Sequence, residues 1–213
     1  MKPANPMRRG LFRVVLPAVL GVKLSAGSVC GRFACRSQID FEEFAQEAFQ
    51  TQHMSQWCWA ASISMIFSFH GHRVSQERIV KEAYGADVNM PSGYGALMAA
   101  LLNRSWTDDN GESFRARLTG VYDAAAGIGL VNNAMLVREL DQNRPVLVGA
   151  AGHAVVLAMM EYTTTFGTIG QVTRCGVFDP WPGRGARDLT RGEMAPLAMG
   201  GALQFIATAK IVD

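Results

Sequence analysis

Three side chains in this sequence have types that together could break an acyl bond: Cys58, His153 and Asp179. Cys58 opens the apolar stretch Cys58-Trp-Ala-Ala-Ser-Ile-Ser-Met-Ile-Phe. A thiol attacks as its thiolate, and a free cysteine is mostly protonated near neutral pH. The first turn of a helix favours the anion, because unpaired N–H groups and the helix dipole converge there. A neighbouring imidazolium favours it further. His153, in Gly152-His153-Ala-Val-Val-Leu, offers such a ring. Asp179, in Val177-Phe-Asp179-Pro-Trp-Pro-Gly183, offers a carboxylate to fix the ring's tautomer and steady its charged form. Each residue also has a plainer reading. Cys58 is then core, His153 a hydrogen-bonded buried histidine and Asp179 a turn aspartate.

The elements that must position these groups follow from local signals. Ser55 is placed to cap the helix that begins near Cys58. Ala60, Ala61, Ile63, Met65, Ile66 and Phe67 make that helix apolar on nearly every side, so it is expected to be central and buried, ending at Gly71. Phe41 to Phe49 reads as a short amphipathic lead-in whose Phe41, Phe44 and Phe49 pack on the domain. Ser75 caps a second helix, Gln76 to Tyr84, stopped by Gly85. Further helices are expected over Gly95 to Asn103 and Ala134 to Gln142, the latter broken by Asn143-Arg-Pro145. Strands are expected over Phe114–Tyr122, Val146–Gly149, His153–Tyr162, Gly170–Asp179 and Ala202–Val212, with a hairpin turn at Gly167. Helices first and strands later predict an α+β fold, an N-terminal helical half with the nucleophile helix packed on a C-terminal antiparallel sheet.

At 213 residues the chain suits one domain, expected over residues 38–213, behind a leader at residues 1–37. The leader shows Arg8, Arg9 and Arg13, then apolar Val14–Val22, then small residues at Ser25 to Ser28, the order of a secretory signal. Its apolar run is too short to span a bilayer, which takes about 20 residues. Lys23 is out of place in such a signal, and a loosely structured N-terminal arm is the other reading. Export to a secreted or periplasmic location is expected, with a cytoplasmic or delivered effector as the alternative. A net charge of +2 leaves no basic patch that argues for nucleic acid. None of the four cysteines forms a CxxC pair; Cys30 and Cys35 are close enough to bridge in an oxidising compartment, and Cys175 reads as a small buried hydrophobe. His53, His70 and His72 lack a carboxylate or cysteine at ligand spacing, so no metal and no cofactor are expected. Asp108-Asp-Asn-Gly-Glu112 lacks the spaced oxygens of a calcium loop and reads as a turn. Trp57 and Trp59 read as packing residues.

The three segments, in this order, resemble a papain-like cysteine peptidase of the compact bacterial type, which includes effector proteases and is similar to peptidases that trim bacteriocin leaders. Gln52, followed after five residues by Cys58-Trp59-Ala60, matches the family's oxyanion glutamine and nucleophile block. Gly152-His153-Ala154-Val155-Val156 matches its histidine strand, and Asp179-Pro180-Trp181-Pro182-Gly183 the block of the third member, with Asp in place of papain's Asn. The resemblance covers about residues 45–212. It implies Cys58 as nucleophile, His153 as base, Asp179 as orienting group, Gln52 as oxyanion donor and Trp181 as a shield over the His–Asp pair. Gln50 and Gln56 are rivals to Gln52, which read alone is a loop glutamine. The Cys58–His153 interval is shorter than the roughly 130–150 residues of papain and the cathepsins. The shorter interval implies trimmed loops, and papain's substrate pockets are not carried over.

The implied activity is endopeptidase cleavage of a protein or peptide substrate through a thioester. The same triad would serve an acyltransferase or deamidase, and a peptide-binding domain without catalysis is the non-enzymatic alternative.

Overall fold

The computed structural model describes residues 26–165 and 168–213. The basic and apolar parts of the expected signal segment and the Gly167 turn lie outside the described residues. Two short strands, β1 (Gly27–Cys30) and β2 (Ala34–Gln38), come first, joined by a Cys30–Cys35 disulfide. The expected leader therefore contributes a hairpin to the sheet, and strands precede as well as follow the helices. Sequence could not show this, because a lone two-stranded hairpin is stable only against a larger sheet.

After the hairpin the chain forms α1, a helical turn at Phe41–Glu43 capped by Asp40, which widens into a π-turn over Phe44–Ala48. Then come α2 (Cys58–Phe69), α3 (Gln76–Tyr84) and α4 (Gly95–Leu101). The expectation for α3 is met, with Ser75 accepting from the Arg78 N–H and Gly85 in the left-handed region at φ 74°. Strands β3 (Ser105–Thr107), β4 (Ser113–Asp123) and β5 (Ile128–Gly129) lead to α5 (Asn133–Asp141). The last part contains β6 (Val146–Ala150), β7 (His153–Thr165), β8 (Thr168–Asp179), β9 (Gly185–Asp188), α6 (Arg191–Met194) and β10 (Leu203–Val212).

These strands form one sheet in the order β1-β2-β7-β6-β10-β4-β3, every named pair antiparallel. The long β7 organises it. Its first residues pair with β6 and its later ones with β2 along one edge, while β8 takes the opposite edge. Ala154 through Met160 are all buried, so this strand is covered on both faces and carries an apolar run instead of an alternating one. Helix α2 lies against it, with Trp59 through Phe67 buried. The architecture is α+β, helices packed on a large antiparallel sheet. Among the described residues no helix is long and apolar enough to cross a membrane.

Candidate active site

Cys58 is the first residue of α2, as expected, but Ser55 does not cap the helix. The N-cap position is Trp57, with no side-chain cap, and the Ser55 hydroxyl instead accepts from Asn89 Nδ2 at 2.9 Å. The consequence is chemical. No side-chain cap takes up the N–H groups of the first turn, so they and the positive end of the helix dipole are left for what binds beside Cys58. Trp57 and Trp59 anchor the helix start from both sides. Both are buried, and their indole N–H groups donate to the carbonyls of Val88 at 2.9 Å and Met90 at 3.1 Å.

The ring of His153 arrives from the sheet. β6 and β7 are joined by the two-residue turn Ala151-Gly152, with φ 53° and 73°. Two positive φ values are the signature of the tight hairpin turn that matches strand twist. Gly152 accepts this freely, and a side chain there would be strained. Ala151 takes it at a cost of about 1–2 kcal/mol. Gln204 Oε1, from β10, accepts from the Gly152 N–H at 2.9 Å and pins the turn. His153 is the next residue, so its ring is aimed by a constrained corner.

Asp179 ends β8 with its side chain fully buried. Its Oδ1 accepts from His153 Nε2 at 2.6 Å and from the Trp181 backbone N–H at 2.9 Å. Its Oδ2 accepts from Arg187 Nε at 2.7 Å, and Arg184 stands at 3.4 Å. Burial alone would push this carboxyl up; hydrogen bonds from His153, Trp181 and Arg187 outweigh it and hold the group well below the usual carboxylate range. His153 shows the mirror image. Burial would lower its pKa, but the hydrogen bond to Asp179 and the nearby Cys58 raise it to about 9. With Nε2 committed to Asp179, Nδ1 is the nitrogen left for the sulfur. The structure thus brings Cys58, His153 and Asp179 into one chain of contacts.

Trp181 is 43% exposed, and its ring meets His153 edge-on with centroids 6.2 Å apart. Gln52 is buried, and its backbone N–H donates to the Pro180 carbonyl at 2.8 Å, tying the approach to α2 to the Asp179 turn. Its side-chain amide does something the sequence does not indicate. Nε2 donates to the carbonyls of Met54 at 2.9 Å and Ser55 at 3.0 Å, and Oε1 has no partner among the described residues. In the resting structure Gln52 therefore braces the turn before Cys58. Of its rivals, Gln50 is engaged with Ser64 and Gln76, and Gln56 takes the Asn89 side chain on its backbone N–H.

Three aromatic rings lock the two halves together. Phe41 and Phe44 each lie 4.5 Å from Phe178, and Phe49 lies 5.8 Å from it, one residue before Asp179 in β8. The expected packing role of the Phe41–Phe49 segment is thus specific: it fixes the strand bearing the carboxylate against the segment leading to the nucleophile.

Sequence reasoning missed Arg187 and Glu193. Arg187 donates to both oxygens of Glu193, at 2.8 and 3.1 Å, while holding Asp179. Glu193 also closes a capping box with Thr190, and its carboxyl is held down to about 2: these contacts overcome the upward push of burial. Thr190-x-x-Glu193 is a legible capping-box signal. Nothing local marks Arg187, whose role depends on β9 pairing with β8.

A cavity of about 850 Å³ lies elsewhere, lined by Leu136, Val148, Leu157, Met160, Cys175 and Met194 among others and by none of the three site residues. Cys175 is buried, and burial pushes its thiol up to about 12, so of the two free cysteines only Cys58 is placed to react.

No curated protein matches the chain. The Peptidase_C39 like family matches residues 38–192, well over half of the sequence and inclusive of Cys58, His153 and Asp179. On that match the chain belongs to the Peptidase_C39 like family, a family of papain-like cysteine peptidases.

Proposed function

We propose that the protein is a cysteine peptidase that cleaves peptide bonds through Cys58, His153 and Asp179. The observation that carries this reading is the arrangement itself: a cysteine opening an uncapped helix, beside an imidazole whose Nε2 rests on a buried, arginine-held carboxylate. Such an arrangement sets a general acid–base beside a nucleophile.

The Cys58 thiolate adds to the substrate carbonyl carbon, and the carbonyl oxygen takes up the negative charge. The Cys58 backbone N–H, which has no partner within the helix, is one donor to that oxygen. Gln52 becomes the second by exchanging one of its two carbonyl partners for the oxyanion. Collapse breaks the C–N bond while His153 delivers its proton to the leaving amine. Neutral His153 then takes a proton from water. The resulting hydroxide attacks the thioester, the C–S bond breaks, and the acid product leaves as the thiolate re-forms. Asp179 keeps the ring oriented in both halves and steadies its cationic form. Trp181 shields the edge of the His–Asp pair from water.

The reading extends to location. A Cys30–Cys35 bridge fits a chain that works outside a reducing cytosol, in a secreted or periplasmic setting. Alkylation with iodoacetamide near pH 6, with Cys58→Ala and His153→Ala as controls and peptide-library cleavage alongside, tests the core of it. Fast labelling confined to Cys58, slowed by His153→Ala, is expected. Slow and equal labelling of the free thiols would leave a peptide-binding domain without catalysis.

A further inference from the structure

The far end of α2 holds a second histidine–carboxylate cluster. His72, just past the helix, stands beside Asp108 and Glu112 of the turn between β3 and β4, and the three ligand atoms lie within 4.8 Å of one another. Sequence reasoning set His72 aside because no carboxylate stood at ligand spacing. The correction is long-range, since the fold brings the turn to the helix end, where the Asp109 N–H donates to the Arg73 carbonyl at 2.7 Å.

The cluster has two features beyond acidity. His72 and Asp108 are 7% and 2% exposed, and among the described residues neither His72 Nδ1 nor Asp108 Oδ2, both buried, has a hydrogen-bond partner. They face each other across 3.4 Å. Every other polar atom of the pair is already held. His72 Nε2 lies 2.9 Å from Asp213 Oδ1. Asp108 Oδ1 accepts from the N–H groups of Asn110 and Glu112, both at 2.9 Å. Phe114 stacks on the His72 ring at 4.2 Å and 15°, fixing its plane.

If the Nε2–H is given to Asp213, Nδ1 presents a lone pair to the lone pairs of Oδ2. Two buried acceptors facing each other require a cation between them. A proton on Nδ1 would give an N–H···O contact longer than the ordinary 2.7–3.2 Å range. A zinc ion bonded to imidazole nitrogen and carboxylate oxygen at about 2.0–2.1 Å, with tetrahedral angles, sets those two atoms about 3.3 Å apart. The spacing suits the metal better than the proton. The carboxylate on Nε2 and the backbone donors on Oδ1 are the supports that metal-bound histidine and aspartate ordinarily have. A cation here also faces the negative end of the α2 dipole.

We infer that His72, Asp108 and Glu112 form a binding site for a divalent transition-metal ion of the zinc class, tying the C-terminal end of the catalytic helix to the β3–β4 turn. His72 binds through Nδ1 and Asp108 through Oδ2, Glu112 closes the rim, and water completes the shell. The twelve residues of α2 separate this site from Cys58 by roughly 18 Å at 1.5 Å per residue, so the ion's role is to hold the helix in place.

The test uses the full chain carrying Cys58→Ala, so that zinc cannot be captured by the reactive thiol and the result does not depend on the proposed peptidase activity. Chelator-stripped protein is titrated with Zn²⁺ by calorimetry at pH 7, and its melting temperature is followed. One ion per chain and a raised melting temperature are expected. Glu112→Gln, at an exposed position, and Asp108→Asn should each weaken binding by about 100-fold or more, and Asp213→Asn by about 10–100-fold. Should His72→Ala fail to fold, Glu112→Gln carries the test. Absence of zinc binding, binding unchanged in Glu112→Gln and Asp108→Asn, or preference for Ca²⁺ or Mg²⁺ over Zn²⁺ would each overturn the assignment.

Discussion

The two ends of α2 carry the same pair of groups, an imidazole and a buried carboxylate, and use them in opposite ways. At the start, His153 Nε2 and Asp179 Oδ1 are 2.6 Å apart, a distance that shares a proton. The other carboxylate oxygen is neutralised by Arg187, and the other ring nitrogen is left for a thiol. At the far end, His72 Nδ1 and Asp108 Oδ2 are 3.4 Å apart, with neither atom hydrogen-bonded. Among the described residues no arginine contacts Asp108; backbone N–H groups hold its other oxygen. Under an ångström of separation distinguishes a hydrogen-bonded pair that orients a ring from a pair with room for an ion. Residue types alone do not decide chemistry. The distance, and what occupies each remaining lone pair, does.

The sharpest way to break this comparison is to remove the groups that only the first end has. Cys58→Ala and His153→Ala should each reduce peptide cleavage by at least about 10⁴-fold, measured as kcat/KM, while leaving zinc binding at the other end intact. Loss of zinc binding in His153→Ala would show the two ends to be coupled. Asp179→Ala should cost about 10²–10⁴ in kcat. It should also move the alkaline limit of activity from near pH 9 down toward the ordinary histidine value, because the partner that raises His153 is gone. A pH profile separates this from simple misfolding.

Gln52→Ala divides two roles. As an oxyanion donor its loss lowers kcat by about 10²–10³ with KM little changed. As a brace for the Met54–Ser55 turn only, it lowers the melting temperature while kcat holds. Arg187→Gln should cost about tenfold in kcat, on the order of 1–2 kcal/mol, because Asp179 then keeps only one side of its orientation. Glu193→Gln, one contact further away, should show a weaker form of the same defect.

Stability against pH tests the same groups without substrate, and the histidines have opposite signs. His153 holds its proton more tightly folded than unfolded. Its contribution is complete below its ordinary value of 6.5 and is lost as pH rises through about 9. His70, next to the second site, is lowered to about 4 by burial, then by Arg144 and His72. The unfolded chain takes that proton first, so stability falls as pH drops from 6.5 toward 4, by on the order of 1–3 kcal/mol. Asp179 adds a loss at still lower pH, as its depressed carboxyl is finally protonated. Melting curves of His70→Gln should lack the pH 6.5-to-4 decline and keep the rest.

Much of the fold could be read from local signals. Ser75 and Gly85 bound α3 because a hydroxyl cap and a left-handed glycine each act within one turn. β7 announced itself as a continuous apolar run, and β8 was closed by Asp179-Pro180. What failed were choices between neighbours with similar chemistry. Ser55 has the right type for a cap, but Asn89 claims its hydroxyl and the helix starts without one. Residues 27–37 read as part of the leader, and only the hairpin's pairing with β7 makes them part of the sheet.

Cys58, His153 and Asp179 were legible as a set because each lies at a boundary that its own neighbours define: a helix start, a tight turn and a strand end. Their types, order and elements are therefore properties of the sequence. The meeting of sulfur, ring and carboxylate, the clamp of Arg187 and Glu193, the turned-in amide of Gln52 and the gap between His72 and Asp108 are decided by tertiary structure. Each depends on contacts between segments tens of residues apart, whose distances are set by sheet pairing and core packing and are not encoded in any local window.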